Sequence, residues 1–190
     1  MSGPANDARG PAPACPGPDP EPHGPRSFTV PAGAVDTHAH VIGLPPAYPF
    51  VAQRSYTPPQ ATPTDYLRML DRTGMSHGVL IQVSVHGTDD RLMRATLRQH
   101  RRRLRGIGVM ALRQPASAYE QARQDGVVGL RLNTLYGGGI GFDDLPEYEA
   151  LARDLGWHLQ FLLDARELAP LAPRLARLKV PVVIDHIGHF

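Results

Sequence analysis

Apolar and polar positions along this 190-residue chain switch repeatedly between a strand period and a helix period. The first regular signal is Val35-Asp36-Thr37-His38-Ala39-His40, a short strand pattern. Side chains two apart share a strand face, so His38 and His40 are expected to project together from its end. Residues 43–61 carry Pro45, Pro46, Pro49, Pro58 and Pro59 and are expected to form a long irregular connection. Loops of that length inside a compact domain are often functional. Thr62-Pro63-Thr64-Asp65 then opens a helix, with an N-cap, a proline at the first helical position and an acid three residues after the cap. Tyr66, Leu67 and Leu70 supply its apolar face and Gly74 its stop.

A near-continuous apolar run over 77–83 predicts a strand buried on both faces, as in parallel sheets. Thr88-Asp89-Asp90 caps a second helix, with Leu92, Met93, Thr96, Leu97 and His100 at helical spacing. Strands over 106–112, 127–133, 157–163 and 180–184 alternate with helices over 117–124, 146–155 and 167–178. Such alternation implies parallel strands joined by right-handed crossovers. A doubly wound sheet and a (β/α) barrel both fit. The first lacks a G-x-G-x-x-G after its opening strand. The second places active-site residues after the strands, where His38, His40, Ser84, His86, Arg131, Asn133 and His186 fall. The expected fold class is therefore α/β, of the (β/α)8 TIM-barrel type, truncated after about six βα units where a closed barrel needs eight.

Composition adds a boundary. Residues 1–25 hold eight prolines and four glycines and almost nothing aliphatic, so a disordered tail is expected over 1–27 and an incomplete barrel domain over 28–190. A net charge of +2 and 42% hydrophobic residues point to neither a nucleic-acid binder nor a disordered chain. The basic run from His100 to Arg105 complements the end of the second helix and no aromatic surface accompanies it. One cysteine, Cys15, builds no internal disulfide. No apolar run is long enough to span a bilayer and the start does not read as a signal peptide, so a cytoplasmic protein with no membrane partner is expected. Oligomeric state is open.

Two histidines so placed can share a metal ion or polarise one bound carbonyl; the bland alternative is two polar residues leaving a strand. Ser84 can donate to a substrate carboxylate or simply turn the chain. Arg131 interrupts an apolar strand, and a buried guanidinium needs a partner. A substrate carboxylate and an internal salt bridge are the two readings. His186 alone reads as a strand-end histidine. Gly137 to Gly141 lacks the ending of a phosphate loop and reads as a flexible connection.

Taken together, these stretches resemble the amidohydrolase superfamily, in its amidohydrolase 2 branch, and within it the 2-pyrone-4,6-dicarboxylate lactonase group. The matching segments are 35–40, Tyr48 through Arg54-Ser55-Tyr56-Thr57-Pro58, Gln82-Val83-Ser84-Val85-His86-Gly87-Thr88-Asp89, Gly129-Leu130-Arg131-Leu132-Asn133, Gly156-Trp157-His158 and Val183-Ile184-Asp185-His186-Ile187-Gly188. The resemblance implies a (β/α)8 barrel and a hydrolase acting on a small carboxylated lactone. It assigns His38, His40 and His186 to a catalytic cluster that polarises the lactone carbonyl, and Tyr56, Ser84 and Arg131 to the substrate pocket. Many members bind a divalent metal, but the lactonase group is thought to work without one. His158 comes too early on its strand to supply a further ligand, which favours the reading with no cofactor. If zinc is bound, His38, His40 and His186 are its expected ligands. Two departures matter. Thr134-Leu135-Tyr136-Gly137-Gly138 contains no second cation, and the strand-eight aspartate that serves the family as base is not in this sequence. Asp185 is expected to face away from His186. The alternatives are a truncated inactive fragment or binding remnant, and a metal-dependent decarboxylase of the same family.

Overall fold

A computed structural model describes residues 12–189. Six parallel strands, β1 (Val35–Ala39), β2 (His77–Ile81), β3 (Leu104–Gly108), β4 (Val127–Asn133), β5 (His158–Leu162) and β6 (Val182–Ile184), lie side by side in sequence order. Helices α1 (Pro63–Thr73), α2 (Arg91–Gln99), α3 (Ala116–Asp125), α4 (Leu145–Leu155) and α5 (Leu168–Leu175) fill the connections. A doubly wound sheet reverses its strand order; this one does not. Crossovers of one hand that always advance the same way put every helix on one face.

The sheet is curled. Neighbouring strands sit about 4.8 Å apart, so β1 and β6 would be separated by roughly 24 Å if the sheet were flat. Yet His38 on β1 and Asp185 just after β6 approach to 3.5 Å. Only a barrel-like curl closes that distance, and the chain forms a six-stranded sector of a (β/α)8 barrel.

Local chemistry explains the best-defined element. The Asp65 backbone N–H donates to the Thr62 hydroxyl at 3.1 Å, and the Thr62 N–H donates back to the Asp65 carboxylate at 2.9 Å. Gly74 ends α1 in the left-handed conformation at φ 81°. Leu70 is fully buried beneath the helix, and the Tyr66 hydroxyl donates to Asp36 at 2.8 Å. That ring lies so close over β2 that a Cβ at Gly78 would stand 2.0 Å from its oxygen. β3, in contrast, starts two residues before the expected 106. Leu104 pairs with Gly78 in the ladder, while the apolar Val109 and Met110 are buried beyond the strand's end.

Leu80, Leu130, Leu132, Leu159 and Phe161 face the helices and pack with Leu70, Leu97, Tyr148 and Trp157. The other face carries a row in register across three strands: Arg131, Gln160 and Val183. On β1 the register slips between Asp36 and Ala39, three residues running against two of β2. This bulge turns Asp36 toward Tyr66 of α1 and lets His38 and His40 face the interior.

Of the stretch expected as a tail, residues 1–11 lie outside the described residues. From residue 12 the chain follows the proline-rich loop: the Thr57 N–H donates to the Pro13 carbonyl at 2.7 Å, and its hydroxyl to the Ala12 carbonyl at 3.0 Å. Among the described residues no helix is long and apolar enough to cross a membrane.

Candidate active site

At the C-terminal ends of β1 and β6 three imidazoles converge. The His38 ring centroid lies 5.2 Å from that of His40, edge-on, and 4.6 Å from that of His186. The strand-period reading thus brings His38 and His40 together. His186 arrives by another route. After β6 the backbone leaves the strand, and His186 and Ile187 adopt left-handed φ values of 53° and 57°.

The ring nitrogens are not equivalent. His40 Nδ1 lies 2.8 Å from the Ile81 carbonyl oxygen, which can only accept. Nδ1 therefore carries the hydrogen, and Nε2 of the neutral ring offers a lone pair. Burial drives the His40 pKa down to about 4, so the ring is neutral at pH 7. Recharging it there would cost about 4 kcal/mol, which makes it a poor donor to a carbonyl. Burial, with the Arg131 guanidinium nearby, also lowers the pKa of His186.

Asp185 corrects the sequence reading. Alternation from Val183 places residue 185 on the interior face, and the left-handed turn then swings His186 to the same side. The Asp185 side chain is 2% exposed. Its Oδ2 accepts from Arg131 Nε at 2.8 Å and Nη2 at 2.7 Å; its Oδ1 accepts from Gln160 Nε2 at 2.6 Å and faces His38 Nδ1 at 3.5 Å. Burial pushes the carboxyl pKa up, but the His38 contact and the Arg131 guanidinium outweigh it and hold the group ionised, below its ordinary value. Of the two readings of Arg131, the structure shows the internal ion pair. Gln160 and Asp185 are the members that sequence reading missed. The signal for Gln160 was the one that marked Arg131, a polar residue interrupting an apolar strand.

Ser84 and Tyr56 meet beside β2, their oxygens 3.5 Å apart, and burial raises the Tyr56 pKa. Tyr56 also packs edge-on to Tyr136, with ring centroids 6.0 Å apart. The glycine loop is packed down rather than loose. A Cβ at Gly138 (φ 87°) would fall 2.4 Å from the Ser84 carbonyl oxygen, and one at Gly137 1.8 Å from that of Gln53. Asn133 shapes the same loop, its Oδ1 accepting from the Leu135 and Tyr136 N–H groups. His86 stands apart from the cluster, against Phe50 and the Pro49 carbonyl. His158 opens β5 beside Gly129, at the opposite end of the sheet.

Lone pairs on Nε2 with Nδ1 held by an acceptor are the arrangement of metal-binding histidines. Two such rings do not make a site. Among the described residues no group of three His, Cys, Asp or Glu side chains is placed to hold an ion, so the residues as arranged do not fit a bound metal.

Residues 35–190 match the amidohydrolase family profile Amidohydro_2. The chain is 32% identical over 179 residues to 4-sulfomuconolactone hydrolase of Rhizobium radiobacter, covering 93% of this chain and 60% of the relative. It is 32% identical over 164 residues to 2-pyrone-4,6-dicarboxylate hydrolase of Comamonas testosteroni, covering 85% of this chain and 53% of the relative. The crystal structure of a probable 2-pyrone-4,6-dicarboxylic acid hydrolase from Acinetobacter baumannii, with citric acid bound, superposes with TM-score 0.71 at 30% identity, covering 82% of this chain and 59% of that one. An apo structure from Agrobacterium tumefaciens gives TM-score 0.76 at 26% identity, covering 84% and 56%. The chain thus spans little more than half the length of the relatives it matches. With a curled parallel sheet, three histidines gathered at its C-terminal end and a profile match from β1 onward, the chain belongs to the amidohydrolase family.

Proposed function

We propose that the protein is a hydrolase that opens a small carboxylated lactone by adding water to the ring carbonyl. The convergence of His38, His40 and His186 at the C-terminal end of the sheet carries this reading. Relatives named as lactone hydrolases support it. Arg131 spends Nε and Nη2 on Asp185, which leaves Nη1 for a substrate carboxylate. The Tyr56 and Ser84 hydroxyls add donors beside it. With no second cation over 134–138, this set fits one carboxylate better than two.

In the reaction, His186 donates an N–H to the lactone carbonyl oxygen, because the inward nitrogen of His40 is a lone pair. Water attacks the carbonyl carbon and gives a proton to a histidine lone pair. The ring C–O bond then breaks and its oxygen takes that proton back, leaving a hydroxy acid. Such proton transfer is worth about 10²–10⁴-fold in rate. The test is to incubate the protein with 2-pyrone-4,6-dicarboxylate and with a singly carboxylated pyrone, following loss of ring absorbance. Ring opening that falls by about 10²-fold or more in His38→Ala is expected. Failure to open either ring, or an undiminished rate in His38→Ala, defeats the assignment.

A further inference from the structure

His38 has the geometry of a proton acceptor. Asp185 accepts hydrogen bonds from Arg131 Nε, Arg131 Nη2 and Gln160 Nε2, all donor groups, so it is an acceptor on every side. The His38 nitrogen that faces this carboxylate, Nδ1 at 3.5 Å, is therefore the one on which a hydrogen is favoured. Nε2 of the same ring is buried without a hydrogen-bond partner. A buried polar atom left unpaired costs on the order of 1–3 kcal/mol, and persists where a ligand satisfies it. The long Nδ1 contact is of the kind that tightens when substrate arrives.

We infer that Asp185 is a positioning residue: it holds His38 as the Nδ1–H tautomer and aims the Nε2 lone pair into the histidine cluster, where it takes the proton of the attacking water. The inference rests on the lactonase reading for the water, but the tautomer itself does not. Arg131 and Gln160 anchor the carboxylate from β4 and β5, so three strands and the turn after β6 contribute to the placing of one nitrogen. Asp185 touches no substrate; it acts through His38. The proton balance is complete: His38 Nε2 gains a proton as the hydroxide oxygen bonds to carbon, and loses it to the oxygen released from the ring.

The test is nitrogen-15 NMR of uniformly labelled protein at neutral pH, with the His38 signals identified by their loss in His38→Gln. The parent is expected to show a protonated Nδ1 and a pyridine-type Nε2. In Asp185→Asn the amide N–H₂ faces His38 while the carbonyl stays on Arg131, so the tautomer is expected to switch to Nε2–H. The value of kcat should fall about 10²–10⁴-fold with KM little changed, and Asp185→Glu should recover part of it. An Nε2–H tautomer in the parent, or an unchanged tautomer in Asp185→Asn, overturns the inference. If Asp185→Asn does not fold, Gln160→Leu serves. It removes the competing donor from Oδ1, so the His38 Nδ1–H resonance should move downfield, and an unmoved resonance also overturns it. A parent that opens no lactone but shows this tautomer pattern sinks the proposed activity and leaves Asp185 as the residue that sets His38.

Discussion

His40 folds as a neutral ring, and that has a cost in acid. Its pKa is 6.5 in an ordinary setting and about 4 here, through burial. The unfolded chain therefore binds the proton first as pH falls, and stability that is complete above about pH 6.5 is lost progressively down to about pH 4. The difference of about 2.5 units corresponds to about 3 kcal/mol. His86, His158 and His186 are shifted the same way by burial, so they add to the slope. Urea midpoints are expected to drop between pH 7.5 and pH 4.5, and His40→Gln should remove about 3 kcal/mol of that drop; an unchanged slope would contradict the assignment. At this scale much of the site could be read from the chain. Spacing two apart announced His38 and His40, and an interrupted apolar strand announced Arg131. Asp185 was misplaced because the facing of the strand was counted from His186. That residue reaches the interior by a left-handed turn that no period encodes.

Among the elements, α1 was the easiest to place because its ends are written in side chains that act within four residues: Thr62, Pro63, Asp65 and Gly74. Thr62→Ala removes one half of the reciprocal cap and is expected to cost about 1 kcal/mol, read as a lower urea midpoint with an unchanged slope. β3 was harder because its limits are set by partners on β2 and β4 rather than by its own residues. Local apolarity over Val109 and Met110 follows burial, not ladder pairing. The glycine loop was misjudged for a related reason. Glycines at 137 and 138 read as freedom in one dimension, and in three they are what lets two backbones touch.

For the molecule as a whole, sequential strand order leaves β1 and β6 each with one neighbour among the described residues. Val35, Val183 and Ile187, at 44%, 42% and 89% exposed, lie on or next to those edges. Unpaired ladder groups flanked by apolar side chains invite strand addition. The 190-residue chain is expected to self-associate with concentration in sedimentation velocity, and Val183→Lys should shift it toward the monomer. The turn after β6 has a different consequence. His186, Ile187 and Gly188 are left-handed in succession, and a β-branched Ile187 in that conformation costs about 1–2 kcal/mol. Because its side chain is almost wholly in solvent, Ile187→Gly relieves the strain and sacrifices no packing. A higher melting temperature with the three histidine rings undisturbed is expected. The turn therefore gives an engineer separate handles one residue apart: position 187 sets how firmly the chain holds, and position 186 what it can do.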